Sequence, residues 1–322
     1  PIPQEILPYK RTGAVPVLNR HSRTKEFQET RFTGPTFKHN YYMARRSIIW
    51  FLAAAIVAAA PAASGQTKAD TDEGYVHIKD IPYTSAGETD PYKTERCKLD
   101  LYFPEGEEGF PTLVWFHGGG LETGSKSLQD GFRRQGFAVA DVNYRLFPEA
   151  RCPDYINDAA EAVAYIFRHI GEYGGDPSKI YVGGHSAGGY LTLMLVLCPE
   201  YMDRFGADAG LIRKAYPVSG QTFTHFTIKK ERGMPMDLPF IDEYAPVNNV
   251  RQDGAPLMLI TGDRELEMLC RYEENECLLA ILKHFRHPAE LYELDGFDHG
   301  NVVVPACILI RNDIHRDCRT GD

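Results

Sequence analysis

The sequence predicts an α/β protein, built on a mostly parallel, twisted sheet with helices on both faces. Short, nearly continuous apolar runs at 112–116, 137–143 and 179–184 are typical of parallel strands buried on both sides. Between the last two runs, residues 154–170 carry apolar side chains at three- and four-residue spacing, which predicts an amphipathic helix. Alternating strands and helices of this kind pack as a parallel sheet covered on each face.

The remaining elements fit around this centre. Residues 75–83 and 97–103 alternate apolar and polar side chains and predict two half-exposed strands at the start of the domain. The apolar segment 187–197, which follows the third buried strand, predicts a helix. Apolar runs at 255–262 and 290–296 predict the last two strands.

Two segments of the second half differ in regularity. Residues 267–285 lie between the last two predicted strands and have a helical pattern. Residues 220–250 have weak periodicity and interrupt the alternation of strands and helices. We interpret them as a cap-like insertion over the carboxyl ends of the strands, although a plain connecting loop would fit equally well.

The amino-terminal region predicts export. From Met43, two arginines, an apolar run and a group of small residues give 43–65 the pattern of a cleaved signal peptide. The apolar run is too short for a membrane span, so no stable span is expected after cleavage. Residues 1–42 are predicted to be a disordered, non-native upstream extension. The mature protein, 66–322, is then a single periplasmic or secreted domain.

Composition excludes several classes of partner. The chain of 322 residues is 43% apolar, which is ordinary for a globular protein with a large core. Residues 66–322 carry 26 Lys and Arg against 41 Asp and Glu, a net charge of −15 that is unsuited to nucleic acid. The seven cysteines show no CxxC and no cluster with metal-ligand spacing, so they predict no metal site.

The segment Gly184-His185-Ser186-Ala187-Gly188 carries the first chemical signal. It fits G-x-S-x-G and lies between a predicted strand and a predicted helix. A serine at the tip of such a turn needs unusual backbone angles, and the residues two positions away must be small for the turn to close. The pattern therefore predicts Ser186 as a nucleophile at the start of a helix, with its Oγ presented into a cleft.

A second glycine-rich segment, Phe116–Gly120 with the sequence FHGGG, follows the strand at 112–116. Acyl transfer requires N–H donors aimed at the developing oxyanion, and consecutive glycines let the backbone come close. We expect Gly118 and Gly119 to donate, together with the N–H of Ala187 after the nucleophile.

A general base and an orienting acid should follow the serine, in the order acid and then histidine. His299 comes a few residues after the last predicted strand, between two glycines, and is the expected base. Asp263 and Glu265 follow the penultimate strand, and either could orient the imidazole. Glu267 and Asp298 are weaker candidates, and the side chain of His185 should point away from the Ser186 hydroxyl, so it is not expected to be the base.

Together these segments resemble α/β-hydrolase-fold esterases over residues 72–305. The resemblance rests on FHGGGLETGSK, VNYRL, YGGDPSKIYVGGHSAGGYLTL, LMLITGDRE and DGFDHG. The most similar group is the bacterial carbohydrate esterases that remove acetyl or feruloyl groups from plant polysaccharides. Hormone-sensitive-lipase-like esterases and kynurenine formamidases are related to it.

The resemblance implies roles for particular residues. It places the nucleophile at Ser186, the base at His299 and the oxyanion donors at Gly118 and Gly119. It places the acid at Glu265, in a G-x-x-D pattern where the family usually has Asp, with Asp263 as the alternative. It also implies structural roles for Asp158 and Asp176.

The expected activity is that of a cofactor-independent serine carboxylic-ester hydrolase, working through an acyl-enzyme on small-molecule or polysaccharide esters. An arylformamidase or a peptidase with the same triad is one alternative. A non-catalytic binding protein on the same fold is another, because the fold alone does not fix the function.

Overall fold

The computed structural model of the chain describes residues 69–320, and these build one nine-stranded sheet with helices packed on it. The predicted upstream extension, 1–42, and signal peptide, 43–65, lie outside the described residues. The strands are β1 (Ala69–Thr71), β2 (Tyr75–Pro82), β3 (Lys98–Pro104), β4 (Phe110–Phe116), β5 (Ala138–Val142), β6 (Gly175–His185), β7 (Lys214–Val218), β8 (Leu257–Gly262) and β9 (Ala289–Leu294).

The strand order across the sheet is β1-β2-β3-β5-β4-β6-β7-β8-β9. The β1–β2, β2–β3 and β3–β5 pairs are antiparallel, whereas the pairs from β5 through β4 to β9 are all parallel. The carboxyl ends of six strands therefore meet at one edge. In open sheets of this kind, ligands bind in the crevice outside that edge.

The helices are α1 (Pro91–Arg96), α2 (Asp154–His169), α3 (Ala187–Leu197), α4 (Glu200–Asp203), α5 (Phe226–Glu231), α6 (Arg271–His284) and α7 (Val303–Thr320). Helices α2, α3 and α6 contribute to a large apolar cluster on one face of the sheet. Helix α7 contributes to a second cluster on the other face, with Trp115 and Tyr216 of the sheet. The predicted sheet with helices on both faces is confirmed.

Every strand and helix that the sequence predicts between residues 75 and 296 has a counterpart, with its ends shifted by a few residues. The predicted helix at 187–197 coincides with α3. The sequence analysis did not predict the longer elements β7 and α7, nor the short elements β1, α1, α4 and α5. Among residues 69–320, none of the helices combines the length and the apolarity needed to span a bilayer.

Candidate active site

Ser186 lies in a sharp turn between β6 and α3, with φ 55° and ψ −114°. Such a positive φ is unusual for a residue with a side chain and is found where the surrounding structure enforces it. The enforcing contact is the close approach of α3 to β4, since a Cβ on Gly188 would lie 2.1 Å from the Phe116 carbonyl oxygen. The Ser186 N–H also donates to the Val218 carbonyl at 2.8 Å. The glycines of the motif therefore serve the predicted purpose of letting the turn close.

The structure brings His299 to this serine. His299 lies on the loop between β9 and α7, and its Nε2 is 2.9 Å from Ser186 Oγ. The Ser186 hydroxyl thus lies within hydrogen-bonding distance of an imidazole nitrogen, which is the geometry of a general base beside its nucleophile. The His299 side chain is 21% exposed, whereas Ser186 is buried, with 7% of its surface exposed.

The carboxylate beside His299 belongs to Glu267, whose Oε2 is 2.7 Å from His299 Nδ1. The other oxygen, Oε1, accepts from the Gly262 N–H at 3.0 Å and from the Ser219 hydroxyl. Burial by itself would raise the pKa of this fully buried side chain, but the hydrogen bonds from His299 and Ser219 outweigh burial and lower the pKa to about 2. Glu267 is therefore an ionised carboxylate aimed at the imidazole.

This arrangement corrects the predicted acid. Neither Glu265 nor Asp263 bonds to His299, because the chain folds into a tight turn after β8. The Asp263 carboxylate holds that turn, accepting from the Glu265 N–H at 3.0 Å and from the Gly296 N–H at 2.9 Å. Glu265 is left exposed on the outside of the turn, and Glu267 is carried under the His299 loop.

The predicted oxyanion loop follows β4 and lies against the nucleophile. A Cβ added to Gly118 would lie 3.3 Å from Ser186 Cβ, so the backbone there passes directly beside the serine. Gly119 has φ +114°, which favours glycine. Within residues 69–320, the N–H groups of Gly118 and Gly119 donate to no acceptor. Ala187, the third expected donor, is the first residue of α3, where N–H groups have no partner within the helix.

Three residues whose roles the sequence analysis did not consider, His117, Arg96 and Tyr144, support this loop. His117 Nδ1 is 2.6 Å from the Gly118 carbonyl, and its Nε2 is 3.3 Å from Arg96 Nη2. Because arginine only donates, Nε2 accepts and Nδ1 carries the proton. Burial lowers the pKa of His117 to about 4, which keeps this imidazole neutral. The ring also stacks on Tyr144, with centroids 4.4 Å apart. The adjacent glycines are the sequence signal that could have indicated His117.

The segment 220–250 lies at the same edge of the sheet. Helix α5 contacts the oxyanion loop, where the Thr227 hydroxyl donates to the Gly120 carbonyl and Lys230 Nζ pairs with Glu122 at 2.7 Å. A cavity of about 630 Å³ opens beside it. Its lining includes Glu122, Gln221, Phe223, Phe226, Met236, Leu238, Met268 and Leu269.

The two aspartates with implied structural roles make structural contacts. The buried Asp158 on α2 accepts from Arg145 through both carboxylate oxygens, at 2.8 and 2.9 Å. Asp176 accepts from the Ser178 N–H at 2.9 Å and caps the turn inside β6. In the described part of the chain, no group of three or more metal-ligating side chains could hold an ion.

Comparisons with known sequences point to esterases. The BD-FAE family model matches residues 99–211. A probable carboxylic ester hydrolase, LipM, of Mycobacterium tuberculosis is 29% identical over 58% of this chain and 48% of its own. A probable isoprenylcysteine alpha-carbonyl methylesterase of Arabidopsis thaliana is 34% identical over 32% of this chain and 22% of its own. The chain thus spans about half or less of the length of these curated relatives.

Solved structures match more of the chain. A truncated carbohydrate esterase from gut microbiota superposes with a TM-score of 0.64 and 16% identity, over 77% of this chain and 99% of its own. A bacterial heroin esterase superposes with a TM-score of 0.57 and 25% identity, over 77% of this chain and 85% of its own. The chain therefore has the α/β-hydrolase fold, and within that fold it resembles esterases.

Proposed function

We propose that the chain is a serine carboxylic-ester hydrolase. One observation carries the proposal, namely the continuous hydrogen-bonded path from Ser186 Oγ through the two ring nitrogens of His299 to Glu267. A nucleophile, a base and an orienting acid in this geometry are what acyl transfer requires. The similarity to proteins described as ester hydrolases supports the same reaction class.

The proposed reaction has two halves. In the first, Ser186 Oγ attacks the ester carbonyl carbon while His299 Nε2 takes the hydroxyl proton, and the N–H groups of Gly118, Gly119 and Ala187 face the oxyanion. His299 then gives this proton to the departing alcohol, leaving an acyl-serine. In the second half, His299 takes a proton from a water, the water oxygen attacks the acyl carbon, and the acid leaves as the proton returns to Ser186. Glu267 stays ionised and stabilises the imidazolium in both halves.

Hydrolysis of 4-nitrophenyl acetate tests the reaction class. Ser186→Ala removes the nucleophile, and kcat should fall by about 10⁴-fold or more. Ser85→Ala, at an exposed serine between β2 and α1, is the matched control and should keep the activity. Comparable turnover by Ser186→Ala and the unmodified chain would contradict the proposal.

We propose acetyl or feruloyl esters of plant polysaccharides or oligosaccharides as the substrates. The similarity to a carbohydrate esterase supports this class. The cavity of about 630 Å³ beside the oxyanion loop is within the size range of small-molecule binding sites. Release of acetic or ferulic acid from arabinoxylan is the expected result. An enzyme that cleaves 4-nitrophenyl acetate but releases neither acid would refute the substrate class and leave the reaction class intact.

We also propose that the protein acts in the periplasm or outside the cell, after cleavage at the end of 43–65. The supporting observation is the basic, apolar and small-residue pattern of that segment. Cell fractionation with amino-terminal sequencing should find the protein outside the cytoplasm, beginning near Gln66. Cytoplasmic protein with 43–65 intact would refute the localisation.

A further inference from the structure

His185 is the last residue of β6 and directly precedes the candidate nucleophile. Its ring is partly buried, and the ring nitrogen Nε2 bonds to a group other than Ser186 Oγ. Its Nε2 lies 2.7 Å from the main-chain carbonyl oxygen of His299. The centroids of the two imidazole rings are 4.9 Å apart. One side chain from the nucleophile turn therefore bonds to the backbone of the base.

The protonation state of His185 follows from its partner. A carbonyl oxygen only accepts, so Nε2 must carry a proton. Burial, together with the nearby charge of His299, lowers the pKa of His185 to about 4, so at neutral pH the ring holds one proton and Nδ1 is bare.

The opposite edge of the ring faces the oxyanion loop. A Cβ added to Gly118 would lie 3.0 Å from His185 Nδ1, so the ring packs directly on that glycine. His185 thus touches two of the three segments that must meet for catalysis, and it is joined covalently to the third, the nucleophile Ser186.

We propose that His185 is a positioning residue that fixes the backbone of His299 relative to the nucleophile and the oxyanion loop. It acts through His299 and touches no reacting atom. The other backbone bonds of this loop run within it, where the Asp298 carboxylate accepts from the N–H groups of Gly300 and Asn301, or to the turn after β8, where the Asp263 N–H donates to the Phe297 carbonyl, and these bonds do not reach the nucleophile turn. A displacement of about 1 Å at a catalytic group can cost about 100-fold in rate.

The proposal rests on the proposed function, and amide substitutions test it on the full chain. His185→Gln places an amide nitrogen near the position of Nε2 and keeps the donor toward His299. His185→Asn is equally polar, but its nitrogen lies near the position of Nδ1 and cannot reach that carbonyl. His185→Leu removes the donor and keeps an apolar body. His287→Gln, at a buried histidine whose ring nitrogens face the Arg251 and Ala255 carbonyls, controls for loss of a buried imidazole.

Steady-state kinetics with 4-nitrophenyl acetate separate positioning from folding. We expect kcat to fall about 10- to 100-fold in His185→Asn and His185→Leu, with KM changed less than about 3-fold, whereas His185→Gln and His287→Gln stay within about 5-fold of the unmodified chain. Equal losses in Gln and Asn at position 185, or no loss in either, would overturn the proposal. If the Leu variant does not fold, the Gln and Asn pair still decides. Activity that survives Ser186→Ala would instead refute the proposed function.

Discussion

At the scale of single residues, Glu267 is the carboxylate on which the candidate triad depends. It is fully buried, yet it accepts from the His299 ring, the Ser219 hydroxyl and the Gly262 N–H. These donors stabilise the charged form, which is why its pKa is lowered to about 2 in spite of burial. A carboxylate that is ionised across the neutral range can hold the imidazole in one tautomer and stabilise the imidazolium.

Glu267→Gln should therefore lower kcat for ester hydrolysis by about 10²- to 10⁴-fold, because the charge facing the imidazolium is lost. Glu265→Gln, two residues earlier on the exposed side of the turn, is the matched control and should change kcat less than about 2-fold. Kinetics of the two purified variants distinguish the acids. A large loss of kcat in Glu265→Gln with little loss in Glu267→Gln would contradict the role of Glu267 and favour Glu265 as the acid.

The sequence placed the acid in the correct loop but at the wrong residue. Three carboxylates follow β8 within five positions, and each could reach a nearby histidine from an unstructured loop. Which one does so depends on the turn that Asp263 builds with the N–H groups of Glu265 and Gly296. Gly296 lies on the loop after β9, which is distant in sequence. Tertiary structure therefore determines which of the three carboxylates reaches His299. Ser186 and His299, by contrast, each lie next to glycines in the sequence, and this local pattern was enough to predict that the two side chains meet.

A second residue, Asp141 on β5, lies outside the candidate site. Both of its carboxylate oxygens are buried without a hydrogen-bond partner among the described residues. Burial, and then the neighbouring Asp100, raise its pKa to about 8. In the unfolded chain this carboxyl group has a pKa of about 4. Below pH 4 it is therefore protonated in both the folded and the unfolded protein, and between about pH 4 and pH 8 it is protonated only in the folded protein. Asp141 therefore destabilises the fold increasingly as pH rises through this range.

Asp141→Asn should stabilise the protein at pH 7 by about 2 kcal/mol or more, and the gain should shrink toward zero near pH 4. Urea unfolding at several pH values measures this. The exposed Asp295→Asn is the control and should show no such trend. A variant that is less stable than the unmodified chain at pH 7 would contradict the assignment.

At the scale of secondary-structure elements, the site exists because α3 crosses unusually close to β4. Gly188 is the contact point, where an added Cβ would meet the Phe116 carbonyl at 2.1 Å. To relieve the clash of such a Cβ with the Phe116 carbonyl, α3 would have to move outward. Ser186, the residue directly before α3, would move with it. The closeness of these two elements thus serves both packing and the position of the nucleophile.

Gly188→Ala should destabilise the protein by about 3 kcal/mol and lower kcat for 4-nitrophenyl acetate at least 10-fold, because overpacking is relieved only by backbone shifts. Gly171→Ala is the control, since a Cβ there meets nothing within 4 Å. Thermal unfolding and kinetics on both variants provide the measurement. Unchanged stability and activity in Gly188→Ala would show that α3 is not fixed by this contact.

The elements were mostly predictable, and the exceptions have physical reasons. Strand β7 contains Pro217, and a proline argues against a central strand because it cannot donate to the ladder. The structure accommodates it between two bonds to β8, from the Ala215 N–H to Pro256 and from the Ser219 N–H to Ile260. Helix α7 buries only one stripe, which includes Cys307 and Ile310, and it exposes Val304 and Ile308 on its outer side. That stripe has helical spacing and could have been recognised.

At the scale of the whole molecule, a parallel sheet brings together residues that are distant in sequence. The candidate oxyanion loop follows β4, the candidate nucleophile follows β6, the candidate acid follows β8 and the candidate base follows β9. Because these strands run parallel, all four segments reach the same edge. Three neutral histidines lie on or beside these segments, namely His117, His185 and, at the start of α5, His225, and removal of each ring from water lowers its pKa.

These histidines predict acid lability. The unfolded chain binds a proton at each of them near pH 6.5. In the folded protein the pKa of His117 and His185 is about 4 and the pKa of His225 is well below its usual value, so stability falls as pH drops below 6.5. Asp141 has the opposite effect, because between about pH 4 and pH 6.5 the folded protein holds one proton there that the unfolded chain has lost. The net effect is that the free energy of unfolding falls by more than about 1.4 kcal/mol per pH unit. Denaturant unfolding between pH 4 and pH 7 measures the slope. Stability that is constant or rises toward pH 4 would contradict the three neutral histidines.

The most direct test of the central claim is capture of the acyl group itself. The unmodified chain is mixed with excess 4-nitrophenyl acetate, quenched in acid within milliseconds to seconds, digested and examined by mass spectrometry. One acetyl group per chain on the peptide that contains Ser186, absent in Ser186→Ala and accompanied by a stoichiometric burst of 4-nitrophenol, is the predicted result. Turnover with no acetyl group on Ser186, or with the acetyl group on another residue, would contradict the account.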